Sequence, residues 1–219
     1  MQSSGSATRS EPDPGFIRAR LAGSALPKNL VIEAAARVSP ELLTAWFKQP
    51  LRPAAVLVPL CVRGDGIHVL LTERTHTVRD HPGQVAFPGG MAEPGDPDLM
   101  VTALREADEE IGMHPAQVEV IGYLSPQAVI SGYAVLPVVG FYAADFEPRL
   151  DPREVAGVFE VPLGFLLEPG NLVRIDRTRN GVTLPTFEYH YQGHRIWGAT
   201  ALMLRLLLDR LRPADVTNA

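Results

Sequence analysis

Apolar positions change period along the chain, and each change marks an element. Ala54 to Val62 is a nearly unbroken apolar run that predicts a buried strand, Arg63-Gly64-Asp65-Gly66 a turn, and Ile67 to Arg74 the returning strand. Further on, Met100, Ala103, Leu104, Ala107 and Ile111 recur at three and four residues, one apolar stripe of a helix. Gln117 to Leu124 alternates like a strand that Ser125-Pro126 ends, and Ile130 to Gly140 leads into another that closes near Ala143. Asp145 to Asp151 is a polar connection, Glu154 to Val161 a short strand, and Pro162 to Leu167 a helical turn. Asn180-Gly181, a dipeptide suited to positive φ, joins strands over Leu172–Arg177 and Thr183–Tyr191. Ile196 to Ala201 opens a last helix, with Leu202, Leu206 and Leu207 inward and an end near Pro213. Near the start, Ser39 caps a short helix over Pro40–Phe47.

Strands separated by helices predict an α/β fold with a mixed sheet between helical layers. The central helix has marked ends: Asp96 is placed as N-cap, Pro97 as first helical residue and Gly112 as C-terminal stop. Its polar face is unusual. Glu106, Glu109 and Glu110 crowd one another near the C-terminus, where the helix dipole disfavours negative charge. A divalent cation reverses that penalty, because hard oxygen ligands converging from one helix turn repulsion into coordination.

Gly90, five residues, Asp96, eight residues, then Arg105-Glu106-Ala107-Asp108-Glu109-Glu110-Ile111-Gly112 resembles the Nudix hydrolase box. Two departures stand out: the box has Glu where Asp96 lies, and seven residues rather than eight before its Arg. No role is carried to Asp96. The resemblance implies a Nudix-type α/β/α sandwich and a Mg²⁺ or Mn²⁺ site built from Glu106, Glu109, Glu110 and the Gly89 carbonyl. It also implies that Arg105 orients a carboxylate, so Arg105, Glu106 and Glu109 are the catalytic candidates.

Composition adds limits. Of 219 residues, 46% are apolar and 21% charged, which suits one soluble domain, and a net charge of −5 without a basic run speaks against nucleic acid as partner. Cys61 is the only cysteine, so no internal disulfide forms and a reducing cytoplasm is compatible. The first residues lack the apolar core of a secretory signal, and no apolar run approaches the ~20 residues of a membrane helix. The expected organisation is a disordered tail over 1–25, one domain over 26–213 and a short tail over 214–219. A monomer or homodimer is expected, with neither membrane nor nucleic acid as partner.

The run from Leu70 to Gly90 carries Arg74, Arg79, His81, Gly83 and Gln84 ahead of Phe87-Pro88-Gly89-Gly90. It resembles the segment marking the coenzyme A pyrophosphatase branch of the Nudix family, apart from Thr75, where that branch usually has Ser or Ala. The resemblance implies that Arg74 to Gln84 recognises a small coenzyme A-like nucleotide, cut at its diphosphate to 4'-phosphopantetheine and adenosine 3',5'-bisphosphate. Glu154 and Glu160 are candidates for a distal carboxylate that activates water. Two other readings stay open: a Nudix hydrolase of ADP-ribose, NADH or a nucleoside triphosphate, and a non-catalytic binding module on the same fold.

Overall fold

The structure of the protein, a computed structural model, describes residues 12–75 and 83–212. Helices α1 (Pro14–Leu21), α2 (Leu30–Ala35) and α3 (Pro40–Trp46) open the chain, each capped by a side chain: Asp13, Asn29 and Ser39 accept the N–H groups of Phe16, Ile32 and Leu42. The helix behind Ser39 matches the expectation; α1 corrects the predicted tail over 1–25. Ile17 and Leu21 lie one turn apart and are wholly buried, so the folded body begins within that stretch. Only two buried positions on an eight-residue helix gave a weak periodic signal. The ends, 1–11 and 213–219, lie outside the described residues.

Strands β1 (Arg52–Arg63), β2 (Gly66–Arg74), β3 (Val85–Ala86) and β4 (Gly89–Met91) lead into helix α4 (Leu99–Ile111). After it come β5 (Val118–Tyr123), β6 (Gln127–Val129), β7 (Tyr133–Tyr142), β8 (Val155–Pro162) and helix α5 (Leu163–Leu167). The chain continues through β9 (Val173–Arg179), β10 (Val182–Tyr191) and β11 (His194–Trp197) into helix α6 (Gly198–Leu211). The main sheet runs β3-β2-β1-β7-β5, with β4 beside β1, β6 beside β7 and β8 beside β2. β1 and β7 are parallel and the other described pairings antiparallel, so the sheet is mixed.

Side chains along β1 alternate between two cores. Ala54, Val58 and Leu60 join Ile17 and Leu21 of α1 and the inner side of α6; Ala55, Leu57 and Cys61 join Ala103, Ala107 and Ile111 of α4. A sheet apolar on both faces requires a helical layer on each, and the outcome is the expected α/β/α sandwich. Asn180 (φ 51°) and Gly181 (φ 76°) make the predicted turn of a smaller sheet, β11-β10-β9. The last helix begins later than expected. Ile196 and Trp197 belong to β11, and Met203, Leu204, Leu207, Leu208 and Leu211 are the buried positions, while Leu202 and Leu206 are half-buried. That segment is apolar nearly all round, so packing rather than periodicity chose its inner face. Among the described residues no helix is long and apolar enough to cross a membrane.

Candidate active site

The position of α4 is fixed at both ends. Asp98, not Asp96, is its N-cap: its carboxylate accepts the Val101 N–H at 2.9 Å. At the other end Gly112 adopts φ 70°, where an added Cβ would also press on Arg149 at 3.0 Å. The orphan carbonyls of Ile111 and Glu110 are taken by the Arg149 and Asp151 N–H groups, both at 2.9 Å. The polar connection after β7 therefore secures the helix end that bears the carboxylates.

Strand β4 brings the glycine loop against that helix. It pairs antiparallel with β1, Gly90 opposite Ala55 and Gly89 opposite Val56. A Cβ at Gly90 would lie 2.5 Å from the Glu106 carboxyl, so this glycine leaves the space that Glu106 occupies. At Gly89 (φ 154°) a Cβ would strike the β1 backbone at Ala55 and Val56, and its N–H donates to Glu110 Oε2 at 3.1 Å.

The three glutamates meet different surroundings. The Glu110 side chain is 4% exposed, and burial pushes its pKa up to about 8 despite the Gly89 N–H and Arg74; the charges of Glu106 and Glu154 add to the rise. Burial also raises the pKa of Glu106, with Arg105 opposing. Glu109 is 60% exposed and turns to Arg105, 3.0 Å away. Among the described residues no three His, Cys, Asp or Glu side chains are grouped so as to hold an ion by themselves. Glu106 and Glu110 form the inner pair, and Glu109 stands at the rim.

Arg105 ties this face to the loop. Its Nε and Nη2 grip the two Asp96 oxygens at 3.0 and 3.1 Å, Nη2 also donates to the Met91 carbonyl, and Nη1 lies 2.9 Å from Glu106 Oε1 and 3.0 Å from Glu109 Oε2. Arg105, with help from the Glu93 N–H and the Thr102 hydroxyl, holds the Asp96 pKa down to about 2. The carboxylate assigned to a helix cap thus serves as the anchor of Arg105. The sequence carried one signal for this, an acid beside the cap position within reach of an arginine two turns into the helix.

Arg74 reaches the same place from the other side, and Gly83 and Gln84 are tied to its backbone. Arg74 N–H donates to the Gln84 carbonyl at 3.0 Å and Gly83 N–H to the Arg74 carbonyl at 3.2 Å, which fastens the base of the segment between β2 and β3. Arg74 Nη1 is 3.6 Å from Glu110 Oε1 and Nη2 4.0 Å from Glu154 Oε2. Arg79 and His81 lie outside the described residues. Thr75 donates its hydroxyl to the Arg153 carbonyl at 3.1 Å, a bond that serine makes equally well. Of the two distal acids, Glu154 borders the site. Glu160 does not: Arg63 and the Tyr142 hydroxyl occupy its carboxylate, and Arg63 lowers its pKa.

The buried Glu110 and the half-buried Glu106, one helical turn apart beside the glycine loop, make a hard-oxygen environment that fits Mg²⁺ or Mn²⁺. The family model described as NUDIX domain matches residues 50–176, which span the main sheet and α4. A Photorhabdus laumondii protein named "Uncharacterized Nudix hydrolase NudL" is 41% identical over 161 residues, covering 74% of this chain and 86% of the relative. A Yersinia pestis protein of the same name is 40% identical over 166 residues, covering 76% and 83%. Among solved structures, DR0079 from Deinococcus radiodurans superposes with a TM-score of 0.47 at 16% identity, over 77% of this chain and 87% of that one. With its glycine loop, its glutamate helix, the NUDIX domain match and the two relatives at 41% and 40% identity, the chain belongs to the Nudix hydrolase family.

Proposed function

We propose that the protein hydrolyses coenzyme A or a derivative of it at the diphosphate, giving 4'-phosphopantetheine and adenosine 3',5'-bisphosphate. The observation that carries this is the run from Leu70 to Gly90, which resembles the coenzyme A pyrophosphatase segment and whose described base sets Arg74 beside Glu110. Glu106 and Glu110, with the Gly89 carbonyl, would hold a divalent cation, and the exposed Glu109 would hold a second ion or the attacking water. When bound, the cation neutralises the diphosphate charge and polarises it toward attack by water.

The side chains supply the rest. Arg105 keeps Glu106 and Glu109 aimed while Asp96 keeps Arg105 aimed, an outer layer that fixes ligand orientation. Arg74, Gly83 and Gln84, with Arg79 and His81, form the strip that binds the nucleotide, the arginines pairing with phosphate oxygens. Glu154 is the acid outside the box best placed to take a proton from water. The test is incubation with coenzyme A and Mg²⁺ or Mn²⁺, followed by product mass analysis. The two named products are expected. Intact coenzyme A alongside rapid cleavage of ADP-ribose, NADH or a nucleoside triphosphate would overturn the substrate and leave a hydrolase of the second kind.

A further inference from the structure

Arg74 ends β2 at an irregularity: the pairing with β8 shifts register between Glu73 and Arg74. Such a shift re-aims a side chain, and here the guanidinium comes over the buried end of Glu110. The contact is loose. At 3.6 and 4.0 Å, the approaches to Glu110 and Glu154 are ion pairs without hydrogen-bond geometry, although the Arg74 side chain is only 24% exposed. Glu110 is correspondingly short of partners. Oε2 accepts the Gly89 N–H, while among the described residues Oε1 faces no closer cation than Arg74.

We propose that Arg74 is an exchangeable counter-charge: it lies over Glu110 while the site lacks its cation, and moves to the anionic substrate once the cation takes Glu110. A buried carboxylate needs a positive partner, and a divalent ion is the stronger one. Two cations on one carboxylate repel, so occupancy of the site weakens the hold on Arg74 and frees its five donors for a phosphate. Glu154, half exposed on the far side of Arg74, keeps the guanidinium near the site during the exchange. This rests on the diphosphate reading above for its second half only.

The exchange is tested with Arg74→Gln, Arg74→Met and Arg74→Lys. Calorimetric titration with Mn²⁺, without nucleotide, is expected to give about tenfold tighter binding in R74Q and R74M, whereas R74K stays within about twofold of wild type. Metal-free R74Q is expected to melt below wild type and to regain more on adding Mn²⁺. At saturating Mn²⁺ the KM of the neutral variants for the cleaved diphosphate rises about tenfold. Unchanged or weaker Mn²⁺ binding in both neutral variants, with native circular dichroism, overturns the proposal, as does an unchanged KM. If wild type leaves coenzyme A intact but the Mn²⁺ tightening appears, the substrate reading fails and the exchange stands, with KM then measured on whichever nucleotide is cut. R74M retains the aliphatic stem and serves if R74Q fails to fold.

Discussion

Two arginines border the glutamates of α4, Arg105 beside Glu106 and Glu109 and Arg74 beside Glu110, and are held in opposite ways. Arg105 spends its guanidinium on Asp96, the Met91 carbonyl, Glu106 and Glu109 at 2.9 to 3.1 Å, all within the loop and helix. Arg74 arrives from β2, and its two acidic neighbours sit at 3.6 and 4.0 Å. A saturated guanidinium is part of the scaffold, because moving it breaks several charge-assisted bonds together. A loosely held one costs little to move and suits a ligand that comes and goes.

The largest expected effect tests whether the carboxylates matter more than either arginine. Glu110→Gln should lower kcat on the order of 10³-fold, as expected when a charge-stabilising group is lost from a site of this kind. Turnover within tenfold of wild type would sink the ligand assignment. Arg105→Ala comes next. Loss of Asp96's partner should cost about 2 kcal/mol in urea unfolding and about 10² in kcat, whereas Arg74→Gln should act mainly through KM. Equal effects on KM from both arginines would erase the distinction.

The adjacent glycines separate scaffold from site in the same way. Gly89→Ala meets backbone at positive φ and should destabilise the fold by about 3 kcal/mol. Gly90→Ala meets only the end of Glu106 and should lower kcat about tenfold with little change in melting. A stable, fully active G89A protein would contradict the β4 geometry. The smallest effect is in acid. The Asp96 pKa is depressed in the folded state, so its pairing stabilises the protein above the ordinary carboxylate range of about 4 and is lost as pH falls toward about 2. Stability curves of wild type and R105A should therefore converge over that interval; parallel curves would show that Arg105 does not hold Asp96.

Much of the fold could be read ahead because its signals are local. The β1–β2 hairpin lies in one apolar run, a turn and a second run, and the Gly112 cap and Asn180-Gly181 turn rest on backbone angles that few other residues take. Misreadings arose where a distant partner decided. Asp96 and Asp98 both offer an oxygen ahead of the helix, and Arg105, nine residues beyond Asp96, claims the first and leaves the second as cap. Helix α1 is ordered by burial of Ile17 and Leu21 in a core completed by α6, at the other end of the chain. The two-residue strand β3 exists because β2 is there to pair with it.

The sequence by itself determined that three glutamates share a helix face behind a glycine loop, since a 3.6-residue period fixes neighbours within a helix. Only the tertiary structure decided how they differ. Glu110 is sealed beneath Gly89 and Arg74, Glu106 fills the space a side chain at Gly90 would need, and Glu109 remains in water. The physical reason is that burial and counter-charge come from groups far along the chain, brought to α4 by the pairing of β4 and β2 with the rest of the sheet.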